Sequence, residues 1–487
     1  MKAAVTLLFA CLLSLGLTAQ RQSMKPSAIV KRLEDRIPVL LEKGDVPGVS
    51  IAYINRGKLT WQKGFGVTSM KTKIPVTNSS VFEAASLSKP VVAYAAMKLV
   101  DEGKLDLDKP LNQYLSTPYP NVHDTRINQV TARQILSHTS GFPNWRNSDT
   151  LKIFFNPGER FSYSGEGFVY LSKCIESITG EKFNDFMTQT VFEPLGMKHS
   201  SYSWLDGYDS LKVFRHNTRG EAVSQNKITG GTYNAAASLH TTAADYASFI
   251  SAVLRGELVK KITKQMMLTP RVQVREGGTQ TINRPQASLF TGVYWGLGWG
   301  IQDVAHETSF FHWGDNGDFK AFVVGREKQK DAIVIFANSV YGLSIVSDII
   351  SEVWNIDMPA IAWLRIERYD SPSRELFRNL LNKGAATVLP HYLEWRKGQP
   401  SDSVANEDRM NRIGLDLLRL GKIEDAIAIL KQNVIDYPSS FNVYDSLGEA
   451  YAAAGEKKLA IKNYQISVQI NPKNHEGLAA LKKLMEN

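Results

Sequence analysis

The sequence predicts an α+β protein: an antiparallel sheet flanked by helices, with an added helical subdomain, followed by an all-α segment. Three observations support this prediction. Strand-like runs occur near both ends of the first 357 residues, a helix-rich stretch separates them, and a 34-residue repeat occupies the C-terminal part. The chain has 487 residues, 43% of them hydrophobic, which leaves room for a large core and more than one domain.

The first twenty residues are typical of a secretory signal sequence. Lys2 precedes an apolar run over residues 3–17, and the small residues Thr18 and Ala19 follow where cleavage would occur. The run is shorter than the roughly 18–20 residues that cross a bilayer. We therefore predict a signal peptide at residues 1–20, no transmembrane segment, and export to the periplasm or the medium after cleavage.

A helix and a β-hairpin are predicted next. Residues 27–42 place apolar side chains at helical spacing, and residues 49–54 and 59–67 are strand-like. The tetrapeptide Asn55-Arg56-Gly57-Lys58 between the two strands is typical of a tight hairpin turn.

The middle of the chain is mainly helical by its apolar spacing, and strands return after it. Residues 105–202 predict a helical subdomain broken by Pro and Gly turns. Strands are predicted at residues 309–313, 320–325 and 331–338, and a helix at 340–354. Strands at both ends of this region indicate a sheet that the N- and C-terminal segments build together.

The C-terminal part contains a repeat with a period of 34 residues. It relates similar residues in seven pairs: Ile413 and Leu447, Gly414 and Gly448, Leu417 and Tyr451, Gly421 and Gly455, Ala426 and Ala460, Ile427 and Ile461, and Pro438 and Pro472. This period, with small residues where paired helices approach, resembles the tetratricopeptide repeat. We predict a first, α+β domain at 24–357, a helical linker at 358–400, and two repeats with a capping helix at 401–487.

Composition excludes several classes of function. Cys11 lies in the predicted signal, so Cys174 is alone in the mature chain. We expect it to lie on an apolar helix and to pack in the hydrophobic core. The nine histidines form no ligand pairs, and we expect no metal and no organic cofactor. The net charge of +9 is not concentrated in a basic run, which argues against nucleic acid as a partner.

The strongest chemical signal is Ser86-Leu87-Ser88-Lys89, which precedes an apolar helical run at residues 91–100. Lys89 lies one helical turn after Ser86, on the same face. A serine hydroxyl needs a neighbouring base to become a nucleophile, and the amides at a helix start can stabilise an oxyanion. Ser86 and Lys89 together meet both needs.

Two later stretches supply candidate partners. Tyr163 lies in a turn just before a helix predicted at residues 168–178. His312-Trp313-Gly314-Asp315 ends a predicted strand with a small residue, where a substrate could lie against the backbone.

These three motifs, in this order, resemble the serine beta-lactamase and penicillin-binding-protein superfamily. The resemblance is to the branch with class C beta-lactamases, D,D-carboxypeptidases and related esterases. It covers residues 30–354, and framework signatures at 134–141, 156–158 and 296–300 add to it. The resemblance implies a beta-lactamase/transpeptidase-like fold.

The resemblance also implies a role for each site residue. Ser86 would be the acylated nucleophile, and Lys89 would take or relay its proton. Tyr163 would be the general base that later acts as the acid, and His312 and Gly314 would form the third motif beside the substrate. The backbone amides of Ser86 and Asp315 would form the oxyanion hole. His138 belongs to the framework.

Two departures from the family pattern bear on the substrate. Gly165, at a substrate-binding position, replaces an Asn whose amide would hold an acylamino group, and Glu166 beside it is no evident substitute. His312 replaces a Lys, a form more typical of the peptidases and esterases. Both departures argue against efficient beta-lactamase activity.

We therefore predict an exported serine hydrolase that acts through an acyl-enzyme on an ester or a D-amino-acid peptide. Loops at residues 203–232 and 270–288 are expected to select the substrate. The alternative is a catalytically weak or inactive relative that serves as a binding or scaffold module, with 401–487 as the candidate site for a protein partner.

Overall fold

The computed structural model describes residues 25–146, 148–223, 227–229, 231–304, 307–354, 356, 358–400, 405–472 and 474–486. The predicted signal peptide at 1–20 lies outside the described residues. So do residues 401–404, where the predicted repeats begin.

Twelve strands and seventeen α-helices are found in this described part. The strands are β1 (Gly48–Asn55), β2 (Lys58–Gly66), β3 (Phe82–Glu83), β4 (Arg215–His216), β5 (Ala222–Val223), β6 (His240–Thr241), β7 (Val272–Arg275), β8 (Leu289–Trp295), β9 (Gly300–Val304), β10 (Glu307–Asp315), β11 (Lys320–Arg326) and β12 (Asp331–Ala337). The helices are α1 (Pro26–Gly44), α2 (Ser88–Asp101), α3 (Ala132–Leu136), α4 (Glu166–Thr179), α5 (Phe183–Met187), α6 (Tyr208–Leu211), α7 (Ala243–Arg255), α8 (Lys261–Leu268), α9 (Val346–Trp354), α10 (Pro359–Trp363), α11 (Pro372–Lys383), α12 (Ala385–Arg396), α13 (Glu407–Arg419), α14 (Ile423–Asp436), α15 (Phe441–Ala453), α16 (Lys457–Ile470) and α17 (His475–Glu486).

The centre of the fold is an eight-stranded antiparallel sheet in the order β2-β1-β12-β11-β10-β9-β8-β7. Strand β1 pairs with β2 on one side and β12 on the other, with Ile51 opposite Ile335. The predicted antiparallel sheet, built by both ends of the domain, is therefore confirmed.

Helices cover both faces of the sheet, so the central strands are apolar on both sides. In β12, Val334 and Phe336 face a core that includes α2 and α7, while Ile333 and Ile335 face the core of α1 and α9. Successive side chains of a strand point to opposite faces, and both faces of β12 are buried. Continuous apolar runs of this kind made β1, β11 and β12 readable from the sequence.

Seven strands were not predicted: the two-residue strands β3 to β6, and three strands of the central sheet. Strands β7, β8 and β9 form its far edge, and β7 lies inside the segment 270–288 that we predicted as a loop. Gly292 in β8 has a φ of +79°, and the register shifts between β7 and β8. A bulged, half-exposed edge does not alternate regularly, so its strand signal is weak.

The predicted helical subdomain is less regular than its apolar spacing indicated. Helices α3, α4 and α5 fall within residues 105–202, but no helix is found at residues 137–146 and 148–165. This irregular stretch contains Tyr163 and lies directly before α4, where it can place side chains beside the start of α2.

The C-terminal helices recur at the predicted period. The starts of α13 and α15, and those of α14 and α16, lie 34 residues apart. Gly414 of α13 faces Leu430 of α14, where a Cβ atom on Gly414 would come within 2.5 Å of the leucine side chain. Their assignment as tetratricopeptide repeats, and the domain boundaries, stay predictions. No helix among the described residues is long and apolar enough to cross a membrane.

Candidate active site

Ser86 lies in a tight turn that leads directly into α2. Strand β3 ends just before a 3₁₀ turn at Ala85–Leu87, and α2 starts at Ser88. Ala85 has a φ of +49°, a left-handed conformation that costs a non-glycine residue about 1–2 kcal/mol. The surroundings fix this turn, since the Ser88 hydroxyl donates to the Ala85 carbonyl at 2.6 Å and accepts from the Leu239 amide at 3.1 Å.

Lys89 is fully buried and points back at Ser86, as the one-turn spacing predicted. Its Nζ donates to Ser86 Oγ at 2.9 Å and to the Ala236 carbonyl at 3.0 Å. Neither of these two partners is a carboxylate. Burial without a compensating negative charge holds the pKa of Lys89 well below its usual value.

Tyr163 forms an aromatic wall beside this lysine. Lys89 Nζ lies 4.7 Å from the centroid of its ring, and the Tyr163 amide donates to the Thr279 carbonyl at 2.9 Å. Burial raises the pKa of the Tyr163 hydroxyl, and the neighbouring Ser86 acts against this rise. Because the pKa of Lys89 is lowered and that of Tyr163 is raised, the neutral amine and the neutral phenol are both favoured.

The ring of His138 packs against the ring of Tyr163. Its ring centroid lies 4.2 Å from that of Tyr163, and its Nδ1 accepts from the Ser164 amide at 3.0 Å. Because an amide can only donate, Nδ1 is the unprotonated nitrogen of His138. Burial, Lys89 and His312 lower its pKa well below the usual value. The predicted framework role remains a prediction that this geometry supports.

His312 lies on β10 with its ring centroid 6.0 Å from that of Tyr163. Its Nδ1 donates to the Trp313 carbonyl at 2.8 Å, which leaves Nε2 as an acceptor. Burial and the neighbouring Lys89 lower the pKa of His312 to about 3. The histidine is therefore neutral at physiological pH.

The end of β10 runs along the Ser86 turn. A Cβ atom on Gly314 would collide with the Ala84 carbonyl oxygen, so only glycine fits here. The pairs between β10 and β9 end at Phe311, and residues 312–315 extend past them. The Asp315 side chain is held by Lys320 Nζ at 2.5 Å. The predicted oxyanion hole from the amides of Ser86 and Asp315 fits this close approach of turn and strand.

The indole of Trp145 covers Gly165, where the family motif has Asn. A Cβ atom on Gly165 would lie 2.5 Å from Trp145 Cη2. Glu166 points elsewhere: it accepts from Arg146 Nε at 2.9 Å and from the Tyr119 hydroxyl at 3.0 Å. The surface offered to a substrate at this position is therefore that of Trp145, while Glu166 is used in a buried ion pair.

Several buried polar atoms of the site have no hydrogen-bond partner within the described chain. They are Tyr163 Oη, His138 Nε2, His312 Nε2 and Trp295 Nε1. Buried polar groups are normally paired, so a cluster of unpaired ones marks a place where water or substrate binds. The described residues contain no group of three or more His, Cys, Asp or Glu side chains that could hold a metal.

The structure thus brings together all the predicted side chains and adds three contributors that the sequence did not reveal: Ser88, Trp145 and the carbonyl of Ala236. The Ser88 hydroxyl bonds to two backbone groups, and the Ala236 carbonyl accepts from Lys89, so neither residue belongs to a catalytic pattern that a sequence would show. Trp145 lies in an irregular loop that carries no periodic pattern. Cys174 is buried in α4, as predicted.

Comparison with known proteins agrees with this geometry. A family model described as Beta-lactamase matches residues 31–350. Protein flp of Staphylococcus aureus (strain N315) is 25% identical over 337 residues, covering 65% of this chain and 64% of that protein. A penicillin-binding protein of Bacillus subtilis (strain 168) is 27% identical over 315 residues, covering 56% of this chain and 63% of that protein. The chain thus spans less than two thirds of the length of these relatives.

Solved structures show the same fold. The octameric penicillin-binding protein homologue from Pyrococcus abyssi aligns with a TM-score of 0.55 and 23% identity, over 73% of this chain and 82% of that chain. The D-alanine carboxypeptidase AmpC from Burkholderia cenocepacia aligns with a TM-score of 0.53 and 20% identity, over 65% and 95%. With the family model matching more than half of the sequence, the chain belongs to the beta-lactamase family of serine hydrolases and penicillin-binding proteins.

Proposed function

We propose that this chain is an exported serine hydrolase that forms an acyl-enzyme at Ser86 with an ester or a D-amino-acid peptide. One observation carries the proposal. A buried lysine with a lowered pKa donates to the Ser86 hydroxyl at 2.9 Å, and none of the bonds described for its amine is to a carboxylate. A structural lysine would be paired with an acid, whereas this one is arranged to lose its proton.

The first chemical step follows from the two neutral groups. Ser86 Oγ attacks the carbonyl carbon of the substrate, and its proton passes to the amine of Lys89. The carbonyl electrons move to the oxygen, which the amides of Ser86 and Asp315 would stabilise. Collapse of this intermediate breaks the bond to the leaving group and leaves an ester on Ser86.

Tyr163 is suited to the opposite transfer. Because its pKa is raised, it stays protonated and can hand a proton to the departing alcohol or amine. The proton held by Lys89 restores Tyr163. Water then adds to the acyl-enzyme, one of its protons returns through the same groups, and the carboxylic acid is released. His312 Nε2, an acceptor in this site, would orient Tyr163 or the water.

An ester is the leading acyl donor, and a D-amino-acid peptide is second. Because position 165 is a glycine, the side-chain amide that would bind an acylamino group is missing. A simple ester has no acylamino group and does not need this amide. The similarity to a penicillin-binding protein and to a D-alanine carboxypeptidase supports the peptide as the second choice.

Stopped-flow release of nitrophenol from p-nitrophenyl acetate tests the proposal. We expect a burst or turnover in the mature protein, and a loss of roughly 10³-fold or more in Ser86→Ala. Ser79→Ala, a change of an exposed serine just upstream, serves as the control and should match the wild type. Equal slow release from wild type and Ser86→Ala would contradict the assignment of Ser86.

Export is tested separately by expressing the full chain in a bacterial host. The mass of the protein recovered outside the cytoplasm should correspond to a chain that starts after Ala19 or Gln20. A chain that keeps residues 1–20 and stays in the cytoplasm would contradict export.

We further propose that residues 401–487 are tetratricopeptide repeats that bind a protein partner. The helix period of 34 residues and the glycines at helix contacts support this assignment, since Gly448 also faces Tyr464, 3.1 Å from the position of a Cβ atom. One hydrophobic cluster joins Leu376 and Tyr392, before residue 401, to Ile413 and Ile429 after it. A deletion from 401 would cut through this cluster.

Deletion of residues 439–487 is therefore the sharper test of the helical segment, because every residue of that cluster precedes residue 439. If the repeats are a binding module, kcat/KM for p-nitrophenyl acetate should stay within about threefold of wild type. Loss of folding, measured by thermal unfolding, would show instead that α15–α17 support the hydrolase domain.

A further inference from the structure

The site has an aromatic surface that the family motif does not explain. The six-membered ring of Trp145 lies on the Cα atom of Gly165, with three of its atoms 2.5–2.9 Å from the position of a Cβ atom. No Asn side chain could occupy position 165 while this ring is in place. Trp145 is nevertheless 40% exposed, so one part of its ring covers Gly165 and another part remains open.

The indole lies close to the reacting groups. Its ring centroid is 5.8 Å from Lys89 Nζ, which is 2.9 Å from Ser86 Oγ. A group attached to the acyl carbon of a substrate would therefore meet the indole soon after the carbonyl reaches Ser86. Apart from its ring N–H, an indole offers an apolar π surface to such a group.

Hydrogen bonds on both sides of Trp145 hold the ring in this position. The Asn144 carbonyl accepts from the amides of Gly165 at 3.0 Å and Glu166 at 2.9 Å. On the other side, Arg146 pairs with the buried carboxylate of Glu166. The loop is thus fastened to the start of α4 by the residues directly before and after the tryptophan, and the indole is preorganised.

We propose that Trp145 determines acyl specificity and that the substrates are esters of carboxylic acids with an apolar, preferably aromatic, acyl chain. This inference rests on the proposed acyl-enzyme at Ser86. The indole gives such a chain a surface on which to stack. An acylamino chain would lose water from its amide and find neither the Asn partner nor a replacement from Glu166.

Two esters of matched shape test the inference. The p-nitrophenyl esters of phenylbutanoic acid and of N-benzoylglycine carry a phenyl ring at similar reach, joined by methylenes in one and by an amide in the other. Each kcat/KM is divided by the second-order rate constant for the reaction of that ester with hydroxylamine at the same pH. This external nucleophile avoids the base-promoted cyclisation of the N-benzoylglycyl ester and so corrects for intrinsic reactivity. The readout is the ratio of the two normalised values.

We expect the wild type to favour the phenylbutanoyl ester by about tenfold or more. Trp145→Ala should bring the ratio close to one, and Trp145→Phe should keep most of the preference. Trp145→Ala combined with Gly165→Asn frees the space and supplies the missing amide, so the ratio should shift toward the N-benzoylglycyl ester. Trp395→Ala, a change of a tryptophan of similar exposure at 43%, is the control and should keep the wild-type ratio.

The outcomes separate this inference from the proposed function. If Ser86→Ala abolishes hydrolysis but Trp145→Ala keeps the wild-type ratio, the inference on Trp145 is wrong and the acyl-enzyme stands. A wild-type preference for the N-benzoylglycyl ester would also overturn it. If Ser86→Ala hydrolyses both esters as fast as wild type, the proposed function and this inference fall together. Should Trp145→Ala not fold, Trp145→Leu replaces it, since leucine keeps apolar bulk without a π surface.

Discussion

Two clusters of buried polar side chains, one that includes Tyr163 and one that includes Glu166, are built in opposite ways. In the first cluster, Lys89 and Tyr163 approach Ser86 without a carboxylate among their described contacts, and the Tyr163 hydroxyl has no hydrogen-bond partner there. In the second cluster, Glu166 accepts from both Arg146 and Tyr119.

The difference separates chemistry from support. Buried polar groups without a partner lower the free energy of unfolding. Proteins retain them at sites where they bind a substrate or transfer a proton. A buried carboxylate that is paired with an arginine and a tyrosine stores no reactivity but holds two segments together. We infer that the first cluster limits the activity and the second limits the stability.

Lys89→Met is expected to produce the largest effect. Removing the base should lower kcat/KM for p-nitrophenyl acetate by roughly 10³-fold. Because methionine fills the same space without a buried amine, the free energy of unfolding should stay unchanged or rise by about 1 kcal/mol. Kinetics and urea denaturation of the same preparation measure both. A variant that keeps wild-type activity, or loses more than about 2 kcal/mol of stability, would break the comparison.

Glu166→Ala should show the reverse pattern. It leaves Arg146 and Tyr119 without their shared acceptor, so the free energy of unfolding should fall by about 3 kcal/mol. The loss in kcat/KM of the folded protein should be much smaller than in Lys89→Met. The control is Glu394→Ala, which breaks an ion pair with Lys397 at the surface and should change stability by less than about 1 kcal/mol. Equal losses from the two variants would contradict a supporting role for Glu166.

The pH dependence gives a smaller, directional test. If neutral Lys89 is the base, kcat/KM should fall as the pH falls through its lowered pKa and level off above it. The unfolded chain binds more protons than the folded chain between that pKa and the ordinary lysine pKa of 10.5, so stability should rise with pH across this window. His312, with a pKa of about 3, should add no inflection between about pH 5 and 9.

Denaturation of Lys89→Met over the same pH range isolates the contribution of the lysine. This variant should lack the rise in stability that the wild type shows. A rise of the same size in both proteins would assign the effect to other groups.

The smallest effect is expected at Cys174. Burial raises the pKa of its thiol to about 12, and it lies in the core rather than in the site. Iodoacetamide at pH 8 should leave the native protein unmodified and fully active, and should modify the thiol once the chain is unfolded. Inactivation of the native protein that parallels alkylation of Cys174 would show that the thiol is near reacting groups after all.

Much of this organisation could be predicted from the sequence where one segment carries its own signal. The run after Ser86 is apolar at helical spacing, and α2 forms there with Lys89 one turn after the serine. The β1–β2 hairpin and the apolar strands β11 and β12 were equally legible, because both faces of the central strands are covered.

The rest depends on contacts between distant segments. Ala236 takes part through its carbonyl, which every residue type possesses. Trp145 is placed by bonds from the backbone of Gly165 and Glu166 to Asn144, and a loop tryptophan gives no sign of that. Strands β7 to β9 escaped prediction because a bulged edge breaks the alternation of apolar side chains.

The most direct test of the account is to identify the atom that carries the acyl group. The mature protein is mixed with p-nitrophenyl acetate, quenched in acid within the burst, and its intact mass and peptides are measured. We predict one added acetyl group on the peptide that contains Ser86, and none in Ser86→Ala. An acetyl group on another residue, or the same adduct in Ser86→Ala, would contradict the claim that Ser86 is the nucleophile.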